Sequence, residues 1–238
     1  MIKLAITGCR GRMGQRVTEL ASQNSNFQIV ALMESPQCPD VPESAFGVKI
    51  SRNIAAIRGA EVLIDFSQAN ATVDNLKACL QHRVRLVIGT TGFTAVQDDA
   101  ILQASRQIAI VKSANMSVGV NVLFGQLRKM AEALKGYSAA ITETHHVHKK
   151  DAPSGTAKTM GDIIQNATQL QRVPIESIRE GEVVGFHKVT FESPVDTIEI
   201  SHNAKTRDMF AEGALVAARF VAYKDIGLFT MQDVLGLS

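Results

Sequence analysis

The sequence predicts an α/β protein: a parallel sheet covered by helices, followed by a second α+β region with a mixed sheet. Three observations carry that expectation. Apolar runs of strand length alternate with helical segments from Ile2 to Val111. A glycine-spaced turn, Gly8-Cys-Arg-Gly-Arg-Met-Gly14, joins the first strand to the first helix. Beyond Ser117 the alternation gives way to a long helix and then strands of antiparallel character.

Ile2–Thr7 is a short apolar strand, and the helix after the turn runs through Ala21 with Val17, Leu20 and Ala21 on one face. Phe27–Met33 is the second strand, ending at Glu34. The stretch from Ser35 to Val48 carries Pro36, Pro39 and Pro42, which predict a loop. Strands are then expected at Glu61–Asp65, Arg85–Ile88 and Gln107–Val111, with helices Ala69–Gln81 and Thr94–Arg106 between them. Ligands of such sheets bind beyond the carboxyl ends of the strands. Polar residues fall there: Phe66-Ser67, Gly89-Thr-Thr-Gly92 and Ser113-Ala-Asn-Met116. Taken singly, Asn115 reads equally well as a helix cap.

Gly119–Leu134 reads as one helix burying Val122, Leu123, Leu127, Met130 and Leu134. Tyr137–Glu143 is a strand and Gly155–Ala167 a helix, while Val183–Glu192 and Asp196–His202 form a hairpin around Ser193-Pro194. The last helix, Asp208–Ala222, buries Phe210, Ala214, Ala217 and Val221 and is expected to rejoin the first domain, with Leu228–Val234 closing the chain. The expected domains are therefore residues 1–116 plus 208–238, and residues 117–207.

The spacing Gly8, Gly11, Gly14 is a variant of the Rossmann dinucleotide fingerprint. Its glycines permit a tight turn, close approach of a pyrophosphate and close helix–strand packing. Glu34 stands about 20 positions on, where such folds grip the adenosine ribose hydroxyls. The cofactor-binding residues expected from the turn are Gly8, Cys9, Arg10, Gly11, Arg12 and Met13.

The segment Glu143-Thr-His-His-Val-His-Lys-Lys-Asp-Ala-Pro-Ser-Gly-Thr-Ala157 gathers three histidines, two lysines and a helix start. Histidine exchanges protons near neutral pH. Lysine supplies a point charge to an anion, and the first N–H groups of a helix hold a carboxylate. His146 and His148 have workable spacing for zinc, but Lys149 and Lys150 oppose a divalent cation and no cysteine lies nearby, so no metal is expected.

A chain of 238 residues holds one large or two modest domains, and 45% hydrophobic with 20% charged residues is a globular composition. A net charge of +2, with no basic block among aromatics, argues against nucleic acid. No apolar run approaches the roughly 20 residues that span a bilayer. No signal peptide is visible ahead of the first strand. Cys9, Cys38 and Cys79 are odd in number and widely spaced, which points to a reducing cytoplasm.

Taken together, Gly8–Gly14, Gly89-Thr-Thr-Gly-Phe93, Ala114-Asn-Met-Ser-Val-Gly-Val-Asn121 and the Glu143–Ala157 segment closely resemble the dihydrodipicolinate reductase family of lysine and diaminopimelate biosynthesis. The resemblance runs in order along nearly the whole chain. The histidine-lysine run is specific to the family, whereas the glycine turn is shared with many dehydrogenases. It implies a Rossmann-like cofactor domain, a mixed-sheet domain for substrate and tetramerisation, a homotetramer, and hydride transfer from NADH or NADPH to a cyclic imine dicarboxylate. By position, His145 is the implied proton donor/acceptor and Lys149 a second proton donor. His146, Gly155 and Thr156 are implied to bind substrate. Gly89, Thr90, Thr91, Ser113, Ala114, Asn115 and Met116 join the glycine turn and Glu34 at the cofactor.

The chain departs from the family after Glu34, where it is abbreviated. Ser35 stands where many members carry arginine, and Met116 where many carry phenylalanine. With Glu34 facing the ribose and no such arginine, NADH is expected to serve at least as well as NADPH. Two other classes compete. One is another dehydrogenase on the same two-domain plan, such as an aspartate-semialdehyde or a sugar or amino-acid dehydrogenase; the aspartate-semialdehyde type needs a nucleophilic cysteine in its substrate domain, yet all three cysteines precede residue 80. A non-catalytic nucleotide sensor leaves the histidines and Lys149 without a role.

Overall fold

The computed structural model describes residues 1–168 and 170–237. The chain divides into two compact units: Met1–Ser117 with Phe210–Gly236, and Val118–Met209. The first unit begins with β1 (Ile2–Thr7), α1 (Arg12–Ser22) and β2 (Phe27–Met33). A short hairpin of β3 (Ser44–Ala45) and β4 (Val48–Ser51) follows, then β5 (Val62–Asp65), α2 (Ala69–His82), β6 (Arg85–Ile88), α3 (Ala95–Ala104) and β7 (Ala109–Lys112). The second unit holds α4 (Val118–Ala133), β8 (Ser138–His145), α5 (Gly155–Thr168), β9 (Ile175–Arg179), β10 (Gly185–Glu192) and β11 (Thr197–Ala204). The chain closes with α6 (Asp208–Val221), β12 (Gly227–Phe229) and α7 (Met231–Val234).

In the first unit eight strands form one sheet in the order β12-β7-β6-β5-β1-β2-β4-β3. Every pairing is parallel except β3 with β4. The central strands are buried on both faces, which is why they read as unbroken apolar runs: all four residues of β5 lie inside. Leu63, Leu86, Ile88 and Ile110 pack with Leu76 and Cys79 of α2 and Ile101 of α3. Parallel pairing sends the carboxyl ends of β1, β5, β6 and β7 to the same edge.

The second sheet runs β11-β10-β8-β9, with β10 antiparallel to both neighbours and β8 parallel to β9. Its inward face packs on α4 and α5 through Ile141, Val189, Phe191, Leu123, Leu127, Met160 and Ile164. Burial of these side chains, each contributing about 1.5–3 kcal/mol, stabilises the unit.

Several local expectations need correction. The proline-rich stretch does begin as a loop, but its end folds into β3 and the start of β4 on the sheet edge. The strand before the histidines extends through His145. The expected hairpin strands are shifted: β10 starts at Gly185 and β11 runs on to Ala204. Val122 is 40% exposed, because the buried stripe of α4 falls at Val120, Leu123, Leu127 and Ala131, and Val122 lies off that spacing. Phe210 is only partly buried, while Ala214, Ala217 and Val221 are inside as expected. β9 escaped the sequence reading because Ile175 and Ile178 sit at positions of opposite parity, so no apolar face shows. The closing stretch splits into β12 and α7, with Thr230 capping the helix through Asp233 N–H.

Candidate active site

At the carboxyl edge of the parallel sheet, the glycine turn has the backbone its sequence requires. Gly8 takes φ +66°, and a Cβ on Gly14 would stand 2.0 Å from the Gly8 carbonyl oxygen, so α1 can approach the turn only with glycine there. Gly11 is the N-cap of α1 and brings no side-chain cap, leaving the first-turn amides of that helix without a capping oxygen, as an anion site requires. At the end of β2 the Glu34 carboxylate accepts from the N–H groups of Arg10 (2.8 Å) and Ser35 (2.8 Å). Glu34 thus stands directly against the turn, in the place a ribose is held. These residues fit a dinucleotide.

The remaining strand ends are organised by Asp65, which is fully buried. Its carboxylate accepts from Ser67 N–H (2.8 Å), Asn75 Nδ2 (3.0 Å) and the Thr90 hydroxyl (3.4 Å), linking the turns after β5 and β6. The Phe66 ring covers Gly89, where a Cβ would come within 2.1 Å of it. Among the sequence-predicted cofactor residues, Arg10, Gly11, Arg12, Thr91 and Ala114 are exposed, and Met13 and Ser113 partly so. The side chains of Cys9, Thr90 and Met116 are buried, so these three offer a ligand backbone groups only. Asn115 Oδ1 accepts from Ser117 N–H (2.9 Å), the capping role that competed with cofactor contact. Arg52, at the end of β4, donates to the carbonyls of Pro36 (2.5 Å) and Ser35 (3.4 Å), beside Glu34 in space though distant in sequence.

In the second unit the site grows out of the sheet itself. Alternation along β8 sends Ala139, Ile141, Glu143 and His145 to the same inward face. The first two join the apolar core, and the last two make the continuation of that face polar. Register then assembles the rest: Glu143 lies opposite His187 of β10, His187 opposite His202 of β11, and His145 beside Arg179 of β9.

Glu143 is the hub. One carboxylate oxygen meets His145 Nδ1, and the other accepts from Arg179 Nη2 (2.9 Å) and from Ser154 N–H (3.2 Å). The His145 ring lies over Gly185, where a Cβ would come within 3.1 Å of Nε2. His187 meets His145 edge-on with centroids 5.0 Å apart, and its Nε2 shares a hydrogen bond with the Ser154 hydroxyl (3.0 Å). Ser154 also caps α5 by accepting from Ala157 N–H (3.2 Å). Just beyond it Gly155 opens onto free space, with no atom within 4 Å of a Cβ position, and Thr156 is partly buried.

The connecting segment is fixed through its backbone. His146 N–H donates to Val183 O (2.7 Å), Val147 N–H to Gly181 O (3.1 Å), and Arg179 Nη2 to Asp151 O (2.6 Å). Lys149 pairs with Asp151 at 2.8 Å and is mostly covered. The structure places Lys149 near His145 and ties Ser154, which precedes Gly155 and Thr156, to Glu143 and His187. It leaves His148 exposed near Glu182. Since β8 ends at His145, His146 and His148 do not share a strand face. Among the described residues, the buried ring or guanidinium nitrogens His146 Nδ1, Arg179 Nε, His187 Nδ1 and His202 Nδ1 have no hydrogen-bond partner. Of these Arg179 Nε is a donor in every state, and a buried donor needs an acceptor, which an anionic ligand supplies; the imidazole nitrogens donate or accept according to tautomer.

The electrostatics follow from burial. The Glu143 carboxyl would be raised by desolvation, but hydrogen bonds from Arg179 and His145 outweigh it and hold its pKa below the usual range. Burial lowers His145, and the Glu143 charge pulls it back up, while Lys149 and Arg179 add to the lowering. Glu143, His145 and His187 are close enough to hold a metal ion. Both Glu143 oxygens already accept from N–H donors, one of them a guanidinium, so the donor set is that of a proton network.

Sequence reasoning missed Glu143, Arg179, Gly185 and His187 as functional candidates. For Glu143 the signal was present, since a residue two before His145 on a strand shares its face. The other three depend on strand register, which no local pattern encodes.

His187 is lowered to about 4, chiefly by burial and secondarily by His145. Between that value and its unfolded pKa near 6.5, only the unfolded state binds the proton, so stability falls as pH drops through this window. The loss expected from this residue by pH 4 is on the order of 3 kcal/mol. Urea denaturation at pH 6.5 and pH 4, with the His187 ring resonances followed by NMR, checks this; a His187 that titrates near 6.5 contradicts it.

Residues 2–116 match the family Dihydrodipicolinate reductase, N-terminus, and residues 119–235 match Dihydrodipicolinate reductase, C-terminus. The 4-hydroxy-tetrahydrodipicolinate reductase of Nitrosomonas eutropha is 41% identical over 265 aligned positions, covering 100% of this chain and 99% of the relative. That of Burkholderia multivorans is 39% identical, covering 99% of this chain and 100% of the relative. Among solved structures, dipicolinate-bound dihydrodipicolinate reductase from Paenisporosarcina sp. TG-14 shares the fold with a TM-score of 0.86 at 23% identity, covering 98% of each chain. An amine dehydrogenase from Mycobacterium smegmatis shares it more loosely, with a TM-score of 0.64 at 12% identity, covering 97% of this chain and 95% of that one. Two matches that together span nearly the whole sequence, with full-length relatives near 40% identity, place this chain in the dihydrodipicolinate reductase family.

Proposed function

We propose that this chain reduces 4-hydroxy-tetrahydrodipicolinate at the expense of NADH or NADPH, with His145 delivering the proton. The family is one of oxidoreductases in lysine biosynthesis. The observation that carries the assignment within this chain is the buried His145. Its Nδ1 is engaged by Glu143 and its Nε2 is the remaining exchange position. Loss of the 4-hydroxyl as water leaves a conjugated imine; each hydride this imine accepts must be matched by one proton, and a positioned imidazole supplies it. When bound, the nicotinamide supplies the hydride.

The ring carboxylates of the substrate are held by Lys149, by His146, and by Gly155 and Thr156 at the start of α5. A dianion in a largely buried site needs cationic and backbone donors of this kind. In the first unit, the glycine turn and Glu34 hold the cofactor, with Gly89, Thr90, Thr91, Ser113, Ala114, Asn115 and Met116 along the strand ends. The dinucleotide-binding domain is then residues 1–116 plus 208–238, and the substrate and tetramerisation domain 117–207. A homotetramer in the cytoplasm completes the reading. The tetramer rests on the family resemblance, and the reducing compartment on three free cysteines.

In an assay that follows nicotinamide oxidation, His145→Gln should lower kcat by about 10²–10⁴-fold with cofactor affinity near wild type. Lys149→Ala should raise KM and, as the loss of a second proton donor, lower kcat, while Thr156→Val should chiefly raise KM, each charged hydrogen bond being worth about 1.5–3 kcal/mol. A His145→Gln enzyme within a factor of about two of wild type removes His145 from the role. Wild-type kinetics in both other variants would move the carboxylate site toward His202 and Lys205.

Cofactor choice turns on the charges beside Glu34. Its carboxylate suits the ribose hydroxyls of NADH and repels a 2′-phosphate. The cations that could offset it are Arg10 and Arg12 in the turn, and Arg52, which is tied to the carbonyls of Ser35 and Pro36. NADH should be used at least as well as NADPH, and Ser35→Arg should shift the kcat/KM ratio toward NADPH. A wild-type preference for NADPH of about tenfold or more, or 1.4 kcal/mol, would show that these arginines outweigh Glu34.

A further inference from the structure

We propose that Glu143, held by Arg179, is the positioning residue that fixes the tautomer and proton affinity of His145. The inference rests on reading His145 as the proton donor. An ionised carboxylate has no hydrogen to give, so at the Glu143–His145 contact the ring must donate from Nδ1. Glu143 is completely buried, and a carboxylate stays ionised there only with a counter-charge and hydrogen bonds. Arg179 provides both at 2.9 Å, and its guanidinium is itself anchored on the carbonyls of Ile178 (2.7 Å) and Asp151 (2.6 Å). In neutral His145 the proton therefore resides on Nδ1 and the lone pair on Nε2. In the imidazolium, Nε2–H is the proton available for transfer.

The charged and titratable groups around the ring are Glu143 on its own strand, Lys149 on the following segment, Arg179 on β9 and His187 on β10. Of these only Glu143 favours the protonated form. Its pull leaves His145 still below the ordinary imidazole value; without that charge, burial and the two cations act unopposed, and the protonated donor is depleted further. The same carboxylate also binds Ser154 N–H at the start of α5, so ring orientation and the carboxylate-binding helix start share one anchor.

The first test is the ¹⁵N spectrum of the histidine rings in the wild-type protein, with His145 assigned by its absence in His145→Gln. A neutral His145 protonated on Nδ1 is expected, and one protonated on Nε2 overturns the inference. This readout needs no turnover, so it is decided separately from whether the chain reduces the dicarboxylate. Glu143→Gln keeps an acceptor but removes the charge. Activity requiring protonated His145 is lost as pH rises through its pKa, so this variant should move that alkaline limb of kcat downward by about one unit. Above the limb, kcat should fall about tenfold with KM within about threefold of wild type. Glu143→Asp, which restores the charge on a shorter arm, should return the limb toward wild type. A pH profile unmoved in Glu143→Gln, or identical in the Gln and Asp variants, would assign Glu143 to structure alone.

Discussion

A carboxylate removed from water is the constraint around which the second unit is arranged. Glu143 is fully buried, and its stability there depends on one guanidinium and two further N–H donors. Breaking such a buried pair from one side typically costs about 3–5 kcal/mol, because the other charge is left uncompensated. The elements that supply these partners are consequently fixed relative to one another: the end of β8, the end of β9 and the start of α5. The arrangement of His145, Arg179 and the start of α5 in this unit is therefore a consequence of satisfying one buried charge.

The sheet makes that arrangement possible by changing character along its length. On the inward face, Ile141, Val189 and Phe191 form a core with α4 and α5, and two residues further along the same face becomes Glu143, His145 and His187. The apolar half supplies the rigidity and the polar half the chemistry. Gly185 is part of the same design, since any side chain at that register would press on His145 Nε2. The first unit uses a parallel device. Asp65, also fully buried, ties the turns after β5 and β6 and so shapes the edge on which the glycine turn and Glu34 stand.

Much of this was legible in the sequence because it is local. The glycine turn, the apolar strands and the helix start at Ser154 each depend on residues a few positions apart, and all were readable. What escaped was set by tertiary register or by weak local pattern. Arg179 lies 36 residues from Glu143, and β9 carries its two isoleucines at positions of opposite parity, so neither the strand nor its role announces itself. Arg52 reaches Ser35 across 17 residues, through the pairing of β4 with β2. Val122 was misplaced because an apolar residue beside a helical stripe is indistinguishable by type from one within it. Glu143 was within reach: the period of a strand places it on the face of His145, and only its role remained hidden.

The central claim is that the polar half of the inward face of the second sheet, together with the start of α5, is where the dicarboxylate is bound. Titration with pyridine-2,6-dicarboxylate, followed residue by residue in NMR spectra, tests it most directly. The account predicts saturable shifts at Gly155, Thr156 and Lys149 and in the rings of His145 and His146. Shifts confined to other parts of the chain, with these signals unmoved at saturation, would contradict it.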